Sequence, residues 1–324
     1  MSDIEKTVQD HYNAYPLPDL SDPERAKKMF DDFLNELKEM GISTSWLQDK
    51  KILVIFAGTG PQVIPVSWYA HEVVAIDLAE RSLEELEKNL RKYGNNLSIV
   101  RIIKTSIYEL DLKGESFDLI LAPGGLHHTQ NPTEAFYKIS KLLKKDGYIF
   151  FSVYNKTGLL FYRLKVRMLD MLFGKSTLHN TTKRINFARK IYRDKRDTIS
   201  LVDAWANVHI RYVDLHEILQ WLSNTGMKII DIRAPVNFHD FLIQLYENGT
   251  SSTYFRLLEY FINGMVRILK PYIRKNVTKW KREHISNAVH DMNYSEIKFT
   301  EFLWLLSGRG NIHYLAQKKI TESE

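Results

Sequence analysis

Cysteine is absent from all 324 residues. That excludes disulfides, thiolate zinc sites and cysteine nucleophiles, and it fits a reducing cytoplasm. Long apolar runs are missing too. None approaches the ~20 residues that cross a bilayer, and the opening Met1-Ser2-Asp3-Ile4-Glu5-Lys6 lacks a signal-peptide pattern. The expectation is a soluble cytoplasmic protein. Tandem repeats and low-complexity segments are absent. Glycine and proline are scarce, at 15 and 9, so the places where they gather carry information.

Acidic charge is short in two segments. Residues 156–197 hold twelve Lys/Arg against three Asp, and residues 262–284 hold seven against one Glu. The overall charge of +6 therefore leaves −9 for the rest of the chain. The apolar content of 44 % is ample for one large α/β domain with insertions, or for two domains.

The chain is organised around residues 51–77. Ile52-Leu53-Val54-Ile55-Phe56-Ala57 is a short, unbroken apolar run, as expected of a parallel strand buried on both faces. Gly58-Thr59-Gly60 follows, and Pro61 suits the first position of a helix. A second run, Val73-Val74-Ala75-Ile76, ends on Asp77. Strand, glycine turn, helix, strand and acid form a nucleoside-binding unit, because parallel strands deliver ligands at their carboxyl ends. The third glycine of a dinucleotide fingerprint is replaced by Val63, and a P-loop Gly-Lys-Ser/Thr is absent. What remains suits a ligand with a ribose and no pyrophosphate, or a bare tight turn.

A third apolar run, Phe117-Asp118-Leu119-Ile120-Leu121-Ala122, leads into Pro123-Gly124-Gly125-Leu126-His127-His128-Thr129. An amphipathic helix then ends at Leu142-Leu143-Lys144-Lys145-Asp146-Gly147, before a strand over 148–153. With these motifs in this order, residues 51–155 resemble the class I S-adenosylmethionine (SAM)-dependent methyltransferases. That family carries Leu-Asp-x-Gly-x-Gly-Thr-Gly, an acid ending the second strand, and Leu-His-His ahead of Leu-Lys-Pro-Gly-Gly. The departures are Val54 for the usual acid, Phe56 for the first glycine, Ser106 for an aspartate near the adenine, and Lys145-Asp146-Gly147 for Pro-Gly.

The resemblance implies an α/β fold: a doubly wound, mostly parallel seven-stranded Rossmann-like sheet with a helical N-terminal cap and helical insertions. It implies SAM as cofactor. Gly58, Thr59 and Gly60 would flank its methionine and ribose, and Asp77 would take the ribose hydroxyls. Leu78 would cover the adenine, with Ser106 and Ile107 at its edge. Ala122, Pro123 and Gly124 would lie beside the methionine. His127 and His128, after the fourth strand, are the candidate catalytic bases. Adjacent histidines point apart and no acid has ligand spacing, so no metal is expected.

Residues 1–50 read as a helical cap or lid, with a helix opening at Asp22-Pro23 and stopping near Gly41. Tyr12 and Tyr15 would touch cofactor or substrate from it. Residues 80–93 make a clean amphipathic helix, and residues 97–103 a strand. Residues 156–213 are a basic helical insertion ending in the polar cluster Asp203, His209, Arg211 and Tyr212, which are substrate-binding candidates. Core elements resume over 214–235 with a helix and strand six. Residues 236–300 form a second insertion, rich in aromatic and basic residues, and 301–324 supply a last helix, strand seven and a tail.

Methyl transfer from a sulfonium is mainly positioning chemistry. The expected acceptor is an oxygen or nitrogen of a small, hydrophobic or anionic molecule. Two alternatives stay open. Basic residues interleaved with aromatics also suit RNA or an anionic membrane surface, and the altered first motif suits a non-catalytic interaction protein that kept the fold.

Overall fold

The structure is a computed structural model, and it describes residues 1–236, 241, 289, 291–307 and 309–319. Most of the second insertion, expected over 236–300, lies outside these residues. No helix among the described residues is long and apolar enough to cross a membrane.

Seven strands form one sheet in the order β3-β2-β1-β4-β5-β7-β6. They are β1 Lys51–Ile55, β2 Glu72–Asp77, β3 Val100–Lys104, β4 Phe117–Ala122, β5 Leu143–Tyr154, β6 Met227–Ile232 and β7 Asn311–Lys318. The first five are parallel, and β7 runs antiparallel between β5 and β6. Alternation along each strand feeds two cores. Leu53 and Ile55 face one, and Ile52 and Val54 the other. Helices α2 Pro23–Glu39 and α5 Glu80–Tyr93 cover the second core through Phe30, Leu37, Leu83 and Leu86. Helices α6 Pro132–Ser140, α10 Leu215–Asn224 and α11 Tyr294–Ser307 cover the first through Phe136, Trp221 and Trp304. This is the expected doubly wound sheet, with every strand of the predicted core present.

Local differences have local causes. Helix α4 spans Val63–Ser67 and does not begin at Pro61. Starting at Val63 puts Pro65 in the first turn, where its missing N–H leaves no intrahelical bond unmade. The third strand begins at Val100 because Asn96 accepts the Ser98 N–H at 3.1 Å and winds 97–99 into a 3₁₀ turn. The turn expected at 145–147 is an irregularity inside β5, where Asp146 adopts φ +60°.

The basic insertion has a small core of its own. Helices α7 Leu160–Phe173, α8 Thr181–Ile191 and α9 Thr198–Trp205 pack Leu169, Ile185, Leu201 and Trp205 together. Arg184 is 1 % exposed and donates to the Trp205 carbonyl at 2.8 Å, Asp170 at 2.9 Å and the Gly174 carbonyl at 2.8 Å. Arg196 forks onto Asp194 at 2.6–3.2 Å. Part of the positive charge is therefore spent holding the insertion together.

Candidate active site

At the carboxyl end of β1 the chain turns sharply. Phe56 adopts φ +60° and Gly58 φ +51°. A side chain at Gly58 would lie 2.6 Å from the Leu17 carbonyl oxygen, so glycine is required by the close approach of the N-terminal segment. The Gly58 N–H donates to Asp77 Oδ2 and the Ala79 N–H to Oδ1, both at 2.8 Å. Burial pushes the Asp77 carboxyl up, and these backbone donors oppose it. Each oxygen keeps a further acceptor site for a ligand hydroxyl.

A cavity of ≈ 270 Å³ opens here. Gly58, Asp77, Leu78, Ile107, Pro123 and Gly124 line it. Gly124 has φ +73° and nothing within 4 Å of where a Cβ would stand, so its backbone is open to a ligand. The other expected cofactor residues sit behind this wall. Thr59 donates from N and Oγ1 to the Leu17 and Pro18 carbonyls, at 3.0 and 2.6 Å. Gly60 packs on Leu86, and Ala122 is buried inside β4. Ser106 is committed to the Glu5 carboxylate and accepts the Tyr108 N–H at 3.1 Å, so its hydroxyl does not face the cavity.

The roof is α1, Asp3–Ala14, opened by a capping box between Ser2 and Glu5. Gln9 Nε2 donates to the Leu78 carbonyl at 2.9 Å, and Asn13 Oδ1 accepts the Arg81 N–H at 3.0 Å. His11 is fully buried, with neither ring nitrogen bonded. Burial first, and His128 second, push it down to about 4. Tyr15 turns away from the cavity and packs against the small core of the basic insertion. It does not touch the site, because α1 ends at Ala14 and the chain reverses.

At the far end of the cavity His128, Asp203 and Tyr12 converge. His128 Nδ1 lies 2.8 Å from the His209 carbonyl. A carbonyl only accepts, so Nδ1 carries the proton and Nε2 keeps its lone pair in the neutral ring. Asn207 Nδ2 faces three acceptors at once: Tyr12 Oη at 3.3 Å, and His128 Nε2 and Asp203 Oδ1 at 3.5 Å each. Burial pushes the Asp203 carboxyl up and His128 down, and their mutual attraction opposes both shifts.

Four expected site residues act one step back. His127 is 1 % exposed, stacks on Tyr154 at 3.9 Å between ring centroids and lies off the cavity wall, so it is not placed as a base. His209 braces the loop, with Nε2 bonded to the Thr129 carbonyl at 3.2 Å. Arg211 pairs with Glu217 at 2.6 Å. Tyr212 lies under the Arg163 guanidinium at 5.0 Å. These three are absent from the cavity wall, and the segment that carries them is tied to the His127 carbonyl through the Arg211 N–H and to β5 through the Val213 N–H. Sequence reasoning missed Asn207, Glu5 and Gln9. For Asn207 a signal existed, since it follows Asp203 by four residues at the end of a helix.

Residues 55–151 match the model of the family described as a methyltransferase domain. That match agrees with the resemblance of residues 51–155 to the class I SAM-dependent methyltransferases. The ubiquinone biosynthesis O-methyltransferase of Photobacterium profundum is 25 % identical over 109 residues, covering 34 % of this chain and 46 % of that one. An uncharacterized protein of Haemophilus influenzae is 30 % identical over 124 residues, covering 37 % and 49 %. The chain thus spans about half the length of the curated relatives it matches. Among solved structures, PKMT2 of Rickettsia typhi in complex with AdoHcy shares the fold at a TM-score of 0.50 and 14 % identity, over 85 % of this chain and 49 % of that one. In this methyltransferase segment the first-glycine position is Phe56, which keeps the left-handed backbone a glycine would adopt. Its ring covers Gly125, where a Cβ would stand 2.0 Å from it. Among the described residues no three His, Asp or Glu side chains form a metal-binding group.

Proposed function

We propose that this protein transfers the methyl group of SAM to an oxygen or nitrogen of a small-molecule acceptor held between α1 and the basic insertion. The observation that carries the reading is one cavity with Asp77 and Gly58 on its wall at one end and His128 at the other. Asp77 would receive the ribose hydroxyls, Leu78 and Ile107 would flank the adenine, and Pro123 and Gly124 would border the methionine. When bound, the cofactor supplies an electrophilic methyl carbon. This chain's residues align the acceptor, exclude water beneath α1, and take the acceptor proton at His128 Nε2. The likeness to a ubiquinone biosynthesis O-methyltransferase supports a small acceptor. So does the burial of Arg184, a cation that a nucleic-acid surface would need exposed.

The test is calorimetric titration of the protein with SAM and S-adenosylhomocysteine, repeated on Asp77→Ala. Micromolar binding that weakens at least about a hundredfold in the variant is expected, because hydrogen bonds to a charged group contribute ~1.5–3 kcal/mol each. Absence of binding to the wild type would sink the reading.

A further inference from the structure

Among the described residues, the acceptor end holds a carboxylate without an adequate counter-charge. Asp203 lines the cavity, and among the described residues its one hydrogen bond is the 3.5 Å contact from Asn207. The groups whose charges act with it are Tyr12, Tyr154 and Tyr162, together with His128 and Arg196. Arg196 is already forked onto Asp194. His128 spends its Nδ1 proton on the His209 carbonyl. Tyr154 and Tyr162 meet edge to face at 6.5 Å, and Tyr12 meets His128 at 5.9 Å. A carboxylate among aromatic rings costs free energy until a cation or a proton joins it, and electron-rich rings favour the cation. An anionic acceptor would add like charge, and a neutral alcohol would leave the carboxylate uncompensated.

We propose that the acceptor is an amine, seated as its ammonium ion against Asp203 and deprotonated by His128. The inference rests on the methyltransferase reading above and names its substrate class. The ammonium proton passes to Nε2 of His128. The freed nitrogen lone pair forms the new N–C bond, and the electron pair of the broken S–C bond stays on sulfur. The product is again an ammonium ion facing Asp203, and His128 returns its proton to solvent. The loose contacts of Asn207 fit this use, since one amide shared among three acceptors at 3.3–3.5 Å leaves room for a ligand donor to enter.

The experiment loads the full-length protein with S-adenosylhomocysteine and titrates choline and its neutral carbon isostere, 3,3-dimethylbutan-1-ol. Choline should bind at least about tenfold more tightly, as expected for a desolvated cation beside rings and a carboxylate. In Asp203→Asn the two probes should bind within about twofold of each other. Unchanged S-adenosylhomocysteine affinity in that variant shows that it is folded. Equal binding in the wild type, no binding of either probe, or a preference that survives Asp203→Asn would each overturn the proposal. Failure of the wild type to bind S-adenosylhomocysteine would instead remove the cofactor reading. Repeating the probe titration without it still reports the charge preference of the chamber.

Discussion

At the Asp77 end of the cavity both carboxylate oxygens accept backbone N–H groups at 2.8 Å. At the Asp203 end the carboxylate has, among the described residues, one side-chain hydrogen bond at 3.5 Å. The first carboxylate is built into the fold, and a ligand adds to bonds already made. The second is held mainly by its helix, and its polar valences are left for something else. A cofactor common to a large family calls for the first arrangement, and an acceptor particular to one enzyme calls for the second.

Substituting the two aspartates sharpens that contrast most. Asp77→Ala strips two charge-assisted bonds, one from the glycine turn and one from the Ala79 N–H, and should cost roughly 3–6 kcal/mol of folding stability. Asp203→Asn keeps the shape and an Oδ1 that still accepts from Asn207, and should stay within about 1 kcal/mol. Urea denaturation of both variants measures this, and comparable losses would break the comparison.

The buried His11 gives the next effect. Its folded-state value lies near 4 against 6.5 in the unfolded chain, so below 6.5 the unfolded state binds the extra proton. The stability from the neutral buried ring is complete above 6.5 and is lost as pH falls toward 4. The loss should approach roughly 3 kcal/mol, and urea midpoints across that window, with His11→Phe as reference, would show it. A slope unaltered in the variant would place the acid sensitivity elsewhere.

A smaller effect belongs to the junction between the two ends. Gly125→Ala alone should cost about 1–3 kcal/mol by driving a methyl into the Phe56 ring. Combined with Phe56→Gly the cost should largely disappear, a coupling readable as non-additive melting temperatures. The smallest change is expected on the rim. Arg25 meets Asp197 at 3.1 Å with both side chains about two-fifths exposed, so Arg25→Ala should shift stability by less than about 1 kcal/mol.

These two ends also differ in how far they were legible. The Asp77 end lies within one short stretch, where apolar runs, a glycine turn and a terminal acid are neighbours in sequence and read directly. Helix α5 was legible for the same reason, its leucines repeating on one face. The Asp203 end is assembled from partners far apart in the chain. Tyr12 meets Asn207 across 195 positions, and Asn207 meets His128 across 79. No local pattern reports such pairings. Proximity in sequence misled in the same place, grouping Asp203 with Arg211 and Tyr212 although the turn after α9 sends them to different surroundings. Phe56 was read as an eroded glycine, and its compensation by Gly125 appears only when two strand ends are set side by side.

The position of β7 has a consequence for the order of assembly. Among the described residues, strand β6 pairs with β7 alone, and β7 also supplies the outer neighbour of β5. While the ribosome is still producing residues 233–310, β6 has no partner and the apolar edge of β5 stays uncovered. The nascent sheet therefore waits with an open flank for nearly eighty residues of synthesis, the interval in which chaperone binding or a wrong pairing would compete with the native one.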